Sequence, residues 1–68
     1  MLTEKAYEPL KSGTVVRVLH SGYNRAWIAE YRGPLGPKGA HVYRILVQKK
    51  PRMYIEVLED QLEVLAEA

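Results

Sequence analysis

Apolar positions along this chain recur with a period near two, in short runs separated by glycine, proline and small polar residues, which points to strands. After Ser12-Gly13, the run Thr14 to Leu19 (TVVRVL) is rich in β-branched residues with Arg17 inside it, and predicts a strand with at least one solvated position. His20 to Arg25 contains Ser21, Gly22 and Asn24, which favour a turn or short loop. Ala26 to Tyr31 (AWIAEY) predicts the second strand. Strict alternation puts Trp27, Ala29 and Tyr31 on one face, expected to look inward, and Glu30 on the other with Ala26 and Ile28. Gly33 to Gly39 holds two prolines and three glycines and is expected to be a loop that breaks any regular element. His41 to Gln48 (HVYRILVQ) carries the strongest strand signal, with Tyr43, Ile45 and Val47 opposite Val42, Arg44 and Leu46. Lys49-Lys50-Pro51 turns the chain into Arg52 to Leu58 (RMYIEVL). There Met53, Ile55 and Val57 are expected to point inward and Arg52, Tyr54 and Glu56 outward, since a slip of one residue would bury two charges. Glu59 to Leu62 suits one helical turn, and Glu63 to Leu65 a short closing strand.

This order predicts an all-β fold: a single five-stranded antiparallel SH3-like barrel with one short helical turn before the last strand. The barrel spans residues 11–66 and follows an N-terminal arm, residues 1–10. Sixty-eight residues leave room for one core. Closure removes the edges that strands this apolar would otherwise expose. The rival arrangement is an open antiparallel sheet completed in a dimer. A βαβ fold is excluded because no amphipathic helix of sufficient length lies between the strands. The arm, broken at Pro9, is expected to lay Leu2, Tyr7 and Leu10 along the barrel.

With this segment order, Gly13-Thr14-Val15-Val16-Arg17-Val18-Leu19 near the start and Leu58-Glu59-Asp60-Gln61-Leu62-Glu63-Val64-Leu65 near the end, the chain resembles the small SH3-like barrels of bacteria. Two groups share the pattern: ribosome- and RNA-associated barrels of the KOW type, and accessory barrels of photosynthetic electron-transfer complexes such as the stromal barrel subunit of photosystem I. The resemblance implies the fold. A glycine followed by V-x-V, and a closing D-x-L-x-V, answer to turn and closing geometry, so no residue's role is carried over.

Charge changes the picture more than composition does. Apolar residues make up 47% of the chain and charged residues 26%, ordinary for a globular domain. The net charge of +2 conceals an asymmetry: nine of the ten basic side chains lie between Lys11 and Arg52, with Glu30 the only acid among them, whereas the chain from Met53 onward holds five acids and no base. Two readings follow. The basic middle attracts an anionic partner, or the acidic end folds back and neutralises it. No cysteine is present, so neither a disulfide framework nor a thiolate metal site is available. The N-terminal residues lack the apolar run of a signal peptide and no membrane-length apolar segment exists, which makes a cytoplasmic protein without membrane insertion the expectation.

Catalysis has little to build on. Ser12 and Ser21 lie outside any G-x-S-x-G context, His20 and His41 make two metal ligands without a third, the carboxylates cluster at the end of the chain, and Gly33 to Gly39 lacks phosphate-loop spacing. The expectation is therefore no enzyme, no metal and no cofactor. Arginines interleaved with aromatics remain: Tyr23 and Arg25, Trp27, Tyr31 and Arg32, Tyr43 and Arg44, Arg52 and Tyr54. In so small a barrel Trp27, Tyr31 and Tyr43 are expected in the core, which leaves Tyr23 and Tyr54 as exposed rings. Glu30 is expected to face Arg17 or Arg44 across the outer surface. The partner-binding candidates are Tyr23, Arg25, Leu35, Lys38, Lys49, Lys50, Arg52 and Tyr54. The leading expectation is a binding module or accessory subunit, a monomer or weak homodimer, that docks on a larger protein assembly through the loops around Leu35 and Lys49. The alternative is binding of RNA or DNA by the basic middle of the chain.

Overall fold

The computed structural model describes residues 7–68. Five strands, β1 (Val15–Val18), β2 (Ala26–Leu35), β3 (Ala40–Lys49), β4 (Arg52–Leu58) and β5 (Leu62–Ala66), form one antiparallel sheet in the order β4-β3-β2-β1-β5. A single 3₁₀ turn, Glu59–Gln61, precedes β5. Among the described residues no ladder joins β4 to β5, so backbone pairing leaves the sheet open rather than closed into a barrel.

The core is Val16, Val18, Ala26, Ile28, Tyr43 and Ile45, with Leu10, Tyr31, Val47, Ile55, Val57 and Leu62 packed against it. Val16, Tyr43 and Ile45 are fully buried. A flat sheet with one bare face cannot bury its central side chains, so here the outer strands and Leu10 from the arm supply the cover. Within the arm Tyr7 and Leu10 dock as expected, while Leu2 lies outside the described residues.

Two irregularities in β2 change which residues face outward. Ile28 pairs with Ile45 and Glu30 with Arg44, so Ala29 is an extra residue bulged out of the ladder. Strict alternation would have placed the Glu30 carboxylate on the core face with Ile28. The bulge resets the phase, so that Ala26, Ile28 and Tyr31 face the core side while Trp27 and Glu30 face outward. The expected inward Trp27-Ala29-Tyr31 face is therefore corrected: only Tyr31 of the three packs on the core. A second bulge at Arg32 lets β2 continue through Gly33-Pro34-Leu35, paired with Val42, His41 and Ala40. The expected loop shrinks to the four residues Gly36 to Gly39, closed by the Gly39 N–H donating to the Gly36 carbonyl at 3.1 Å. Pro34 is tolerated because β1 pairs only with Ala26 and Trp27, leaving this half of β2 an edge where a missing N–H costs nothing. Gly33 supplies the φ of +90° at the bulge, which a side chain would strain.

Met53 is a further correction: it is 46% exposed, although Ile55 and Val57 pack on the core as expected. A bulge at Val47 pairs Gln48 with Met53 beyond the end of the core, where no side chains remain to cover it.

Candidate functional site

The outward face of β2, β3 and β4 is laid out in three rows by the register. One row is Glu30, Arg44 and Glu56; the next is Trp27, Leu46 and Tyr54; the last pairs Lys49 with Arg52 beside the turn. Trp27, Arg44 and Leu46 are half-buried, while Lys49, Arg52 and Tyr54 are exposed. Each ring in the aromatic row lies under a cation, with Lys49 Nζ 4.2 Å from the Trp27 ring centre and the Arg44 guanidinium 4.3 Å from that of Tyr54.

The carboxylates on this face are neutralised locally. Arg32 reaches Glu56 at 3.1 Å through Nε and Glu30 at 3.3 Å. Arg17 pairs with Glu63 at 2.6 Å across β1 and β5. Glu30 thus faces Arg44 in register, one of its two expected neighbours, and the acidic end does fold back on the basic strands. It does so only in part. Among the described residues no ion pair involves Arg25, Arg44, Lys49, Lys50 or Arg52. The result is a polarised face, neutral at the Glu30–Glu56 row and basic at the Lys49–Arg52 end.

Register also places Arg25, two residues before Trp27, at this basic end, and Tyr23 belongs to the same β1–β2 loop, 39% exposed. Tyr23 sits in that loop with its carbonyl accepting from the Val18 N–H at 3.0 Å. Five of the eight candidates named from sequence lie at this end by strand order: Arg25, Lys49, Lys50, Arg52 and Tyr54. Leu35 and Lys38 do not. They sit at the β2–β3 tip, at the other end of the ten-residue β3 and about 30 Å away at ~3.3 Å per residue. Leu35 stands out from that tip, 49% exposed, instead of folding down over the core. Arg44 belongs to the basic middle of the chain expected to meet nucleic acid in the alternative reading, whereas Trp27 and Leu46 were missed as site residues. The signal that would have found them is Glu30, whose charge in phase with Ile28 demands a break in alternation.

On the core side, a second aromatic group is locked by hydrogen bonds. The Leu10 N–H donates to the Tyr43 hydroxyl at 2.9 Å, Tyr43 bonds the Tyr7 hydroxyl, and Tyr7 donates to Glu59. Tyr7 stacks on His41 with ring centres 3.7 Å apart, and the Tyr31 hydroxyl meets His41 Nδ1 at 2.6 Å. Burial, then the hydrogen bond to Glu59, pushes the Tyr7 phenol well above its ordinary pKa, so it keeps its proton and its donor role. Tyr31 is also raised, by burial and then by the neighbouring Tyr43 and Glu59. These phenols fasten the arm to the sheet.

Among the described residues no group of three or more His, Cys, Asp and Glu is arranged to hold a metal ion, and no helix is long and apolar enough to cross a membrane. A groove of about 310 Å³ lies between the arm and the chain end, lined by Glu8, Pro9, Leu10, Lys11, Thr14, Glu67 and Ala68. Comparison of the chain with protein-family models, with curated proteins and with solved structures finds no match.

Proposed function

We propose that this chain is a small non-catalytic binding module, an SH3-like barrel in which β2 serves both halves of the curled sheet, and that it holds single-stranded nucleic acid on the outward face of β2 to β4. The observation that carries the reading is the outward placement of Trp27 and Tyr54 beside cations that no carboxylate of the described residues neutralises. Unpaired bases stack on aromatic rings while lysine and arginine follow the phosphates, and a face that is neutral at one end and basic at the other orients such a strand. The two aromatic side chains lie on either side of β3, roughly 10 Å apart at two strand spacings, within reach of neighbouring or next-neighbouring nucleotides. Docking to a protein assembly is the second reading, favoured by the exposed Leu35 at the opposite tip, where a stiff Gly/Pro turn presents an apolar anchor.

Trp27 is the only tryptophan, so its fluorescence reports stacking directly. Titration with single-stranded oligonucleotides at low salt is expected to quench it, with an affinity that falls steeply as salt rises. Trp27→Ala should lose about 1–3 kcal/mol of binding, and Lys49→Ala should reduce the salt slope by roughly one unit. Absence of binding and of quenching at protein concentrations on the order of tens of micromolar would sink the nucleic-acid reading, given the usual strength of non-specific phosphate binding. Capture of a protein partner that depends on Leu35 would then favour the second.

A further inference from the structure

We infer that the free edge of β4 pairs with the same edge of a second copy, giving a two-fold dimer centred on Tyr54. Among the described residues β4 hydrogen-bonds only to β3, so its other side carries a row of backbone groups that no described strand pairs along seven residues. Two apolar side chains on it are uncovered as well, Met53 at 46% and Leu58 at 45% exposed, while Ile55 and Val57 pack on the core. Such an edge needs a partner or a deterrent, and the sequence Arg52-Met53-Tyr54-Ile55-Glu56 indicates which.

Antiparallel self-pairing about Tyr54 sets Arg52 opposite Glu56 of the other copy, twice by symmetry. It also sets Met53 opposite Ile55, and Tyr54 opposite its own counterpart. Arg52, Tyr54 and Glu56 all lie on the outward face, so the opposite charges meet on one side of the joint and the apolar pair on the other. Glu56 already accepts from Arg32 through one oxygen, and a carboxylate has capacity for a second arginine. The other free edge, β5, lacks this symmetry. Its one charged residue, Glu63, is paired with Arg17, and self-pairing about Val64 would set Glu63 opposite Leu65. The β4 joint would merge two sheets into one and bring the two outward faces side by side. It stands whether or not those faces bind nucleic acid.

Sedimentation measurements on the whole chain, up to about 1 mM because an edge-only joint falls in the weak, transient class, test the idea. The expected result is a monomer–dimer equilibrium. Arg52→Glu alone and Glu56→Arg alone should each weaken it by about tenfold, since two attractive cross-strand pairs become repulsive. The double swap R52E/E56R should restore it, and an equimolar mixture of the two single variants should form the mixed dimer, whose charges match again. Circular dichroism verifies that each variant stays folded, which matters most for Glu56→Arg because it also removes the Arg32 contact. A wild-type monomer throughout the range, assemblies larger than a dimer that require β4-to-β5 pairing, or a double swap no better than the single changes would each overturn the inference.

Discussion

The two faces of this sheet use the same kinds of residue to opposite ends. On the outward face Trp27 and Tyr54 lie apart on either side of β3, each under a flexible cation, with no hydrogen bond of the described residues tying down the Tyr54 hydroxyl. On the core side Tyr7, Tyr31 and Tyr43 gather around His41, tilted or stacked on one another, with their hydroxyls bonded to each other, to His41, to Glu59 or to backbone. The difference lies in what meets the polar tip of each ring. A ring whose hydroxyl is satisfied inside the protein becomes structure. A ring covered by a cation that water or a ligand can displace stays available for recognition.

The sharpest way to break this comparison is to truncate neighbours that point to opposite faces of β3. Ile45→Ala removes a fully buried side chain and should cost about 2–5 kcal/mol, whereas Leu46→Ala, half-buried on the outer face, should cost less than about 1.5 kcal/mol. Urea melts of the two variants decide it, and equal losses would mean that the faces are assigned the wrong way round. A finer cut separates the two classes of phenol. Tyr43→Phe takes away the acceptor of the Leu10 N–H and one of the two partners of the Tyr7 hydroxyl, which keeps Glu59, and should cost about 1–3 kcal/mol. Tyr54→Phe, which loses no bond within the described residues, should stay within about 0.5 kcal/mol of the parent in the same melts.

The smallest effect is one of pH. The Tyr7 phenol titrates higher in the folded chain than in the unfolded one, so its contribution is complete below the ordinary tyrosine pKa of about 10. Above that value the unfolded chain releases the proton while the folded chain retains it, and stability falls with rising pH. Melts between about pH 8 and pH 11.5 should show a shallower decline for Tyr7→Phe than for the parent. Identical slopes would mean that the arm is not held through this hydroxyl.

Period-two alternation and turn residues were enough to read the number of strands, their order along the chain, the single turn before β5 and the core positions Tyr43, Ile45, Ile55 and Val57, because each follows from local spacing and side-chain type. The basic end of the candidate face was legible too, since Lys49, Lys50 and Arg52 flank one tight turn. The orientation of Trp27 was not. Inward and outward phases for AWIAEY differ by one bulged residue, and which residue bulges is settled by partners distant in sequence: Ile45 and Tyr43 in the core, and Arg44 waiting opposite Glu30. The extension of β2 through Pro34 was likewise invisible locally, because a proline is tolerable there only when β1 ends early and leaves that half of the strand an edge. Met53 repeats the point. Its alternation is correct for burial, but the core stops short of it, and the extent of a core is a property of how strands of unequal length overlap, which exists only once the chain has folded.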